Sequence, residues 1–296
     1  MGAPLVHFFA YHESFRGGVN IAVGDVDGDG KDEIVTAPGP GGSPHVRIFS
    51  NRGVFDTGFF AYDASFTGGV NVAVGDVDRD GRAEIVTAPM GGGGPNIRVF
   101  GYRGGQYVPT TQNFFAYDAS FTGGVNLTMA DLEGDGKAEI ITAPRSNGRP
   151  QLRIFGYRQG VFRPVILSLD AYDASFTGGV TLGRADRNGD GRDEILTGVE
   201  RDGGSHVRAF AWNPTTKLVR LVHPGFLVFH PDYRGGISAV GLDTDRDGAD
   251  AWVVAPRHDA EGIVRVFTAS GDLLLDEWLA YDRSFTGGVN LASGRW

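Results

Sequence analysis

The chain has 296 residues, a formal net charge of −9, no cysteine and 41% hydrophobic residues. This acidity argues against nucleic acid or an anionic membrane surface as a partner, because both require basic protein surfaces. No apolar run is long enough to predict insertion into a membrane, and the absence of cysteine excludes disulfides and thiol chemistry.

The N-terminal part of the chain predicts a series of short strands. The first is the aromatic segment LVHFFAY, from Leu5 to Tyr11, and VNIAVG predicts the next strand. An acidic loop, a strand EIVTAP, a Gly/Pro-rich turn, a strand HVRIF and an aromatic strand FFAY from Phe59 then follow in order. β-Branched and aromatic residues bounded by Gly, Pro and Asp favour strands, and no segment has the apolar spacing of an amphipathic helix.

The same order of segments recurs along the whole chain. A Gly-Gly pair precedes each VNIAVG-type strand and begins at Gly17, Gly68, Gly123, Gly178, Gly235 and Gly287. Five units of about 50 residues therefore hold four strands each, and a half unit begins near residue 276. Four-stranded antiparallel blades repeated around an axis predict an all-β fold, a β-propeller, as a single domain over residues 1–296.

Five blades is the number that the repeat favours, and a ring of six or seven blades is the alternative. The segment Leu5–Tyr11 resembles a fourth strand, and WLAY from Trp278 resembles another, followed by a bare first strand, GGVNLASGRW. Because an unpaired strand edge is a template for association, these surplus terminal strands predict either closure of the ring or self-association between molecules.

Each unit carries a nine-residue acidic loop between its first and second strands. The copies are DVDGDGKDE from Asp25, DVDRDGRAE from Asp76, DLEGDGKAE from Asp131, DRNGDGRDE from Asp186 and DTDRDGADA from Asp243. Ca²⁺ takes about six to eight oxygen ligands, and alternate positions of a tightly curled acidic loop can supply them. The last acid stands at position 9 rather than 12, and strands flank the loop, so the pattern is not an EF-hand. The loops predict calcium sites.

The predicted ligands are the side chains at loop positions 1, 3, 5 and 9 and the backbone carbonyl at position 7. By loop they are Asp25, Asp27, Asp29, Lys31 and Glu33; Asp76, Asp78, Asp80, Arg82 and Glu84; Asp131, Glu133, Asp135, Lys137 and Glu139; Asp186, Asn188, Asp190, Arg192 and Glu194; and Asp243, Asp245, Asp247 and Ala249. Loop five ends in Ala251 and lacks the last acid, for which Asp250 or water are the alternatives. The prediction is four complete sites and a fifth that lacks one ligand.

The acidic loop belongs to a triple motif. It follows a Gly-Gly entry and precedes TAP at Thr36, Thr87 and Thr142 or VAP at Val254, although unit four has TGV at Thr197. This combination resembles the FG-GAP repeat of integrin α-subunits and its bacterial VCBS-type relatives. The resemblance implies a β-propeller with Ca²⁺ between the first and second strands of each blade. Extracellular calcium modules bind at roughly 10⁻⁴–10⁻³ M, so we expect an extracellular, periplasmic or cell-surface location.

The loop YDASFTGG recurs without change in three units, which requires a cause. Packing of its phenylalanine between blades is one interpretation. The other is a repeated carbohydrate or peptide pocket, as in some fungal lectins of the same propeller family. The pocket would use Tyr62, Phe66, Tyr117, Phe121, Tyr172 and Phe176.

A second repeated residue is an arginine of the third strand. It stands at Arg47, Arg98, Arg153, Arg208 and Arg265. Because buried arginine is rarely left unpaired, we expect it to form ion pairs with the repeated Asp63, Asp118, Asp173 and Asp282.

These patterns favour a calcium-binding extracellular scaffold for protein interaction or adhesion, in which calcium is mainly structural. Its protein or glycan ligand is expected on the face opposite the calcium loops, where loop sequences vary between units. A multivalent lectin is the alternative. No Ser-His-Asp order, phosphate loop or zinc spacing occurs, so a non-enzymatic protein is predicted, and a polysaccharide-active enzyme is the weaker alternative.

Overall fold

The structure is a computed structural model that describes residues 6–213 and 215–294, without the side chains of Ile166 and Leu167. Leu5 and the last two residues of the C-terminal segment therefore lie outside the described residues. The strands form five four-stranded antiparallel sheets arranged as a β-propeller, which confirms the predicted fold class and blade number. The described part of the chain has no helix of the length and apolarity that crossing a membrane requires.

In every blade, the order of strands across the sheet follows their order along the chain. The strands are β1 (Val19–Gly24), β2 (Glu33–Pro38), β3 (His45–Phe49) and β4 (Phe55–Phe60) in blade one; β5 (Val70–Gly75), β6 (Glu84–Pro89), β7 (Asn96–Arg103) and β8 (Gln106–Phe115) in blade two; β9 (Val125–Ala130), β10 (Glu139–Pro144), β11 (Gln151–Arg158) and β12 (Val161–Asp170) in blade three; β13 (Val180–Ala185), β14 (Glu194–Val199), β15 (His206–Asn213) and β16 (Leu218–Leu227) in blade four; and β17 (Ile237–Leu242), β18 (Ala251–Pro256), β19 (Ile263–Phe267) and β20 (Leu274–Leu279) in blade five.

The surplus terminal strands are the part of the prediction that is wrong. Residues 6–11 and 289–294 belong to no strand, and WLAY begins inside β20, so it completes blade five. The N-terminal segment instead packs by side chains, with the rings of Phe8 and Phe49 centred 4.7 Å apart. Near the other end, the Val289 amide donates to the Pro256 carbonyl at 2.8 Å. Isolated contacts of this kind replace a strand ladder.

Burial falls from the second strand of a blade to the fourth. Every residue of β2, β6, β10, β14 and β18 is buried, whereas β8 and β16 alternate or are largely exposed. The sequences explain the difference, because EIVTAP-type strands are almost continuously apolar and small, as a strand covered on both faces requires. The fourth strand forms the outer edge of the sheet and keeps polar residues such as Gln112.

The Cα positions divide the described chain into two compact units. One contains the residues up to Leu127 together with Gly294, and the other is Thr128–Ser293. In the first unit, Val35 and Ile85 belong to a buried cluster formed by blades one and two. In the second, Ile154 and Ile195 belong to a cluster formed by blades three and four. The single domain over residues 1–296 stays a prediction.

Candidate metal-binding loops

The acidic loops lie between the first and second strands of each blade, as predicted. Loop one starts directly after β1, and its ninth residue, Glu33, is the first residue of β2. The backbone enters the left-handed region at position 6, with φ of 84° at Gly30, and also at position 4, with φ of 64° at Arg79. Arginine is accommodated at position 4, where φ is about 64°, whereas the larger φ of position 6 favours glycine, which all five loops have there.

The aspartate at position 1 folds each loop around its carboxylate. Asp25 Oδ1 accepts from the Gly28 amide at 2.7 Å, and its Oδ2 accepts from the Gly30 amide at 2.8 Å. The bond to the position 6 glycine is repeated by Asp76, Asp131, Asp186 and Asp243. Aspartate side chains commonly organise turns in this way. The first predicted ligand is therefore also the residue that sets the curvature of the loop.

Loops one, two and five bring three carboxylates together. One oxygen from each residue lies within 4.8 Å of the other two in the sets Asp25, Asp27 and Asp29; Asp76, Asp78 and Glu84; and Asp243, Asp245 and Asp247. Two oxygens bound to one Ca²⁺ at about 2.3–2.6 Å can lie up to about 5 Å apart, so the spacing and the all-oxygen donor set fit this ion. Loop five has this arrangement although Ala251 replaces the last acid.

In loops three and four, no three carboxylates of the described residues have one oxygen each within 4.8 Å of one another. The Glu133 carboxylate of loop three lies 2.8 Å from Arg158 Nη2 and 3.8 Å from Lys217 Nζ, so two cations hold it. In loop four, Asn188 Nδ2 donates to Asp190 Oδ2 at 3.3 Å. The loop-three contacts involve cations outside the loop pattern, whereas the loop-four contact joins two residues of the pattern itself.

The glutamate at position 9 is buried under its loop. Its Oε2 accepts from the amide at position 2, at 3.2 Å between Glu33 and Val26 and at 3.1 Å between Glu139 and Leu132. Burial, and secondarily the neighbouring carboxylates, raises the pKa of Glu33 to about 7 and the pKa of Glu139 to about 8. The ion-free loop thus holds more negative charge than its surroundings stabilise.

We expect the melting temperature of the ion-free protein to fall by several degrees between about pH 5 and pH 8. The glutamate pKa is 4.5 when solvated and about 8 at Glu139, so the folded state binds more protons within this window. Stability therefore decreases as pH rises. Thermal unfolding of chelator-treated protein measures the slope, and Glu139→Gln should make it shallower. If the melting temperature of Glu139→Gln fell more steeply with pH than that of the wild type, Glu139 would not be the source of the slope.

An acid at position 8 joins neighbouring loops, which the sequence analysis did not identify. Asp193 accepts from the Asp131 amide at 2.9 Å and donates its own amide to the Asp131 carbonyl at 2.9 Å. Asp250 makes the same pair of bonds to Asp186, at 2.9 and 2.7 Å. The only sequence signal is that Asp stands at position 8 in loops one, four and five and Ala in the other two. Asp250 is therefore engaged by loop four rather than by its own loop.

The repeat pattern has a counterpart among known families. The model of the FG-GAP-like repeat matches residues 25–87, from loop one to the second strand of blade two. The matched region and the five four-stranded blades support an FG-GAP-type β-propeller repeat protein. No curated protein matches the sequence.

Two solved structures with TM-scores above 0.5 share the fold of this propeller. An Agrocybe aegerita lectin that recognises non-reducing terminal N-acetylglucosamine is 21% identical, with a TM-score of 0.54, over 92% of this chain and 68% of its own. A candidate 6-phosphogluconolactonase of Bacteroides uniformis is 16% identical, with a TM-score of 0.54, over 90% and 73%. An exotype rhamnogalacturonan lyase is 17% identical, with a TM-score of 0.49, over 87% of this chain, which spans 56% of the lyase. These likenesses are of fold alone.

The tyrosine of the YDASFTGG loop packs against the end of the following blade and forms hydrogen bonds with it. Tyr62 Oη donates to the Asn96 carbonyl at 2.8 Å and lies 3.3 Å from Thr87 Oγ1. Burial raises the pKa of the equivalent Tyr172 to about 12. Each ring packs against the phenylalanine four residues later, with centroid distances of 5.6 Å for Tyr62 and Phe66, 5.7 Å for Tyr117 and Phe121, and 5.9 Å for Tyr172 and Phe176. Packing accounts for the repeated loop, and the pocket stays a prediction.

The prediction that the repeated arginine pairs with the repeated aspartate is wrong. Arg98 Nη1 donates to the Ala61 carbonyl at 2.9 Å, and its guanidinium lies 5.0 Å from the centre of the Tyr62 ring. Asp63 instead accepts from the amide and hydroxyl of Ser65, which lower the pKa of its carboxyl. A short aspartate satisfies its own turn. The long planar guanidinium reaches a carbonyl and an aromatic face of the neighbouring segment.

Proposed function

We propose that this chain is a calcium-stabilised propeller that acts as a binding scaffold in an extracellular, periplasmic or cell-surface setting. The observation that carries the proposal is the convergence of three carboxylates in loops one, two and five. Each loop would hold one Ca²⁺ through the side chains at positions 1, 3 and 5, the carbonyl at position 7 and, in loops one to four, the side chain at position 9. The sites of loops three and four require Glu133 to leave its ion pairs and the Asn188 oxygen to turn towards the ion.

The ion would join the first two strands of a blade. The aspartate at position 1 follows the first strand directly, and the glutamate at position 9 begins the second, as Asp25 and Glu33 do in blade one. Bound Ca²⁺ would also neutralise carboxylates that repel one another in its absence. At a free concentration about ten times Kd, each site adds about 1.4 kcal/mol to the free energy of unfolding.

A calcium titration of thermal unfolding tests this proposal. With chelator-stripped protein, we expect the melting temperature to rise on the order of 10 °C as Ca²⁺ enters the millimolar range, because several sites contribute to one transition. Mg²⁺ should have a smaller effect, since it demands a tighter octahedral geometry. Asp25→Ala combined with Asp76→Ala should reduce the rise.

The matched control for that variant is Asp63→Ala combined with Asp118→Ala. Both control positions are exposed aspartates that organise turns outside the calcium loops. If the loop variant and the control respond to Ca²⁺ equally, the loops do not hold the ions that stabilise the fold. If metal analysis finds no Ca²⁺ in protein purified from calcium-containing buffer, the proposal also fails.

The partner surface that we propose is the end of the blades opposite the calcium loops. The turns between second and third strands lie there, and they differ between units, from GPGGSP after Pro38 to RSNGRP after Pro144. Variable loops on a rigid scaffold suit recognition of a protein or glycan. Residues 6–11 and 289–294 are the segments through which self-association would occur.

A multivalent lectin is the second candidate, and exposed aromatic side chains favour it. Phe60 is 52% exposed beside His45, with ring centroids 4.8 Å apart, and the equivalent Phe115 is 54% exposed. Exposed aromatic faces beside polar groups suit the apolar faces of sugar rings. The Agrocybe aegerita lectin, which recognises terminal N-acetylglucosamine, supports this candidate through its similar fold. Selective binding on a glycan array that Phe60→Ser and Phe115→Ser together abolish would support it.

A further inference from the structure

A cavity of about 330 Å³ opens beside loop four, between that loop and the outer two strands of its blade. Its wall includes Asn188, Asp190 and Glu194 of the loop and Trp212 and Val222 of β15 and β16. Cavities of this size are at the lower end of the range for small-molecule sites. The cavity therefore suits a ligand of about one sugar ring.

Loop four departs from loops one to three at its second position, which lines this cavity. Arg187 stands where loops one to three have Val26, Val77 and Leu132, which are buried. The Arg187 Nε donates to the Ala269 carbonyl at 3.1 Å, and the guanidinium lies 5.4 Å from the Trp252 ring centre. These contacts fix the side chain and use only one of its five N–H donors.

The cavity wall also carries two further arginines. Arg220 of β16 lines the cavity and has no ion pair among the described side chains, and Arg192 lines it as well. Of the acids in the wall, Asp193 is already paired with Arg184 at 3.2 Å. The wall therefore carries three arginines, Arg187, Arg192 and Arg220, against the two remaining acids, Asp190 and Glu194, and a cavity with a positive excess concentrates anions.

The wall also offers groups for a polar, uncharged part of a ligand. Asn213 lines the cavity, and its Oδ1 accepts from the amides of Thr215 and Thr216 at 3.0 and 2.9 Å. Its Nδ2 can therefore donate a hydrogen bond to a ligand in the cavity. Amide donors of this kind suit hydroxyl oxygens.

We propose that this cavity binds a small hydroxylated carboxylate, the class that includes uronic acids and hydroxy acids. The carboxylate would lie on Arg187 and Arg220, and the hydroxyl oxygens would face Asn213 and loop four. Charge-assisted bonds from arginine to a carboxylate are among the strongest that a site can offer.

Isothermal titration of the full chain with D-glucuronate in calcium-containing buffer tests the inference. D-Glucose lacks the carboxylate and acetate lacks the hydroxyls, so both should bind at least about tenfold more weakly. Arg187→Leu introduces the residue found at Leu132, and Arg220→Gln changes an exposed residue. Each should weaken glucuronate binding about tenfold or more. Arg103→Ala, at the exposed end of β7, should leave it unchanged.

The outcomes separate this inference from the calcium proposal. Glucuronate that binds no better than glucose or acetate, in a protein whose melting temperature still rises with Ca²⁺, overturns the inference and leaves the calcium sites standing. Wild-type affinity in Arg220→Gln also overturns it, and this variant keeps the test valid if Arg187→Leu does not fold. A melting temperature that does not respond to Ca²⁺ identifies failure of the proposed function instead.

Discussion

Replacing Glu200 by alanine should lower the melting temperature by roughly 10 °C. Glu200 is fully buried, and its carboxylate lies 3.2 Å from Arg145 Nη2 and 3.2 Å from Arg257 Nε. The arginine side chains are only 16% and 13% exposed. Without Glu200, two poorly solvated guanidinium groups would remain beside each other without their shared counterion. Breaking a buried pair in this way costs about 3–5 kcal/mol.

The exposed ion pair between Arg149 and Asp170 provides the control. Its atoms lie 2.6 Å apart, but the arginine side chain is 60% exposed, so Asp170→Ala should cost no more than about 1 kcal/mol. Glu200→Gln should fall between the two variants, because it keeps hydrogen-bond acceptance but loses the charge. Scanning calorimetry at fixed Ca²⁺ measures all three. If Glu200→Ala and Asp170→Ala had equal melting temperatures, the buried ion pairs of Glu200 would contribute no more to stability than the exposed pair.

Replacing Gly179 by alanine should destabilise the protein by about 3–5 kcal/mol. Gly179 is the second residue of a Gly-Gly pair, with φ of +88°, and an added Cβ would lie 1.8 Å from the Arg145 carbonyl oxygen. The clash is with backbone, so a side-chain rotation cannot relieve it. The turns of neighbouring blades would have to separate, which also disturbs the site of Glu200 next to them.

Gly160→Ala is the matched control for this substitution. Gly160 also has positive φ, at +82°, but nothing lies within 4 Å of the Cβ it would gain. Its alanine variant should cost only the backbone strain, about 1–2 kcal/mol. Denaturant unfolding at fixed Ca²⁺ gives both free energies. If the two glycines proved equally sensitive, conformational strain rather than close packing would explain the Gly-Gly pair.

The strand pattern and the loop positions were predictable from sequence because both depend on neighbours within one hairpin. Alternation, β-branched residues and turn chemistry act over a few residues, so β1, β2 and the loop from Asp25 follow from local sequence. Fivefold repetition then made each local prediction support the others. The terminal segments were mispredicted because a strand also needs a partner strand, which local sequence does not show. Residues 6–11 have the strand composition but lack the neighbouring strand that a ladder requires.

The partners of charged residues were not predictable in the same way. Arg98 was expected to meet an aspartate and instead contacts Ala61 and Tyr62, which precede the blade to which it belongs. Glu133 fits the loop pattern, yet its side chain is held by Arg158 and Lys217. A long side chain can reach several polar groups that lie at similar distances. The packing of the blades decides which of these groups it contacts.

The sequence by itself determined the all-β fold, the five repeated units and the position of the acidic loops. These features follow from interactions between residues that are near one another along the chain. Only the tertiary structure decided that Glu200 lies between Arg145 and Arg257, that Asp193 and Asp250 join neighbouring loops, and that Arg187 faces a cavity. Each of these contacts joins residues from different blades or distant strands, and blade packing sets their distance and burial.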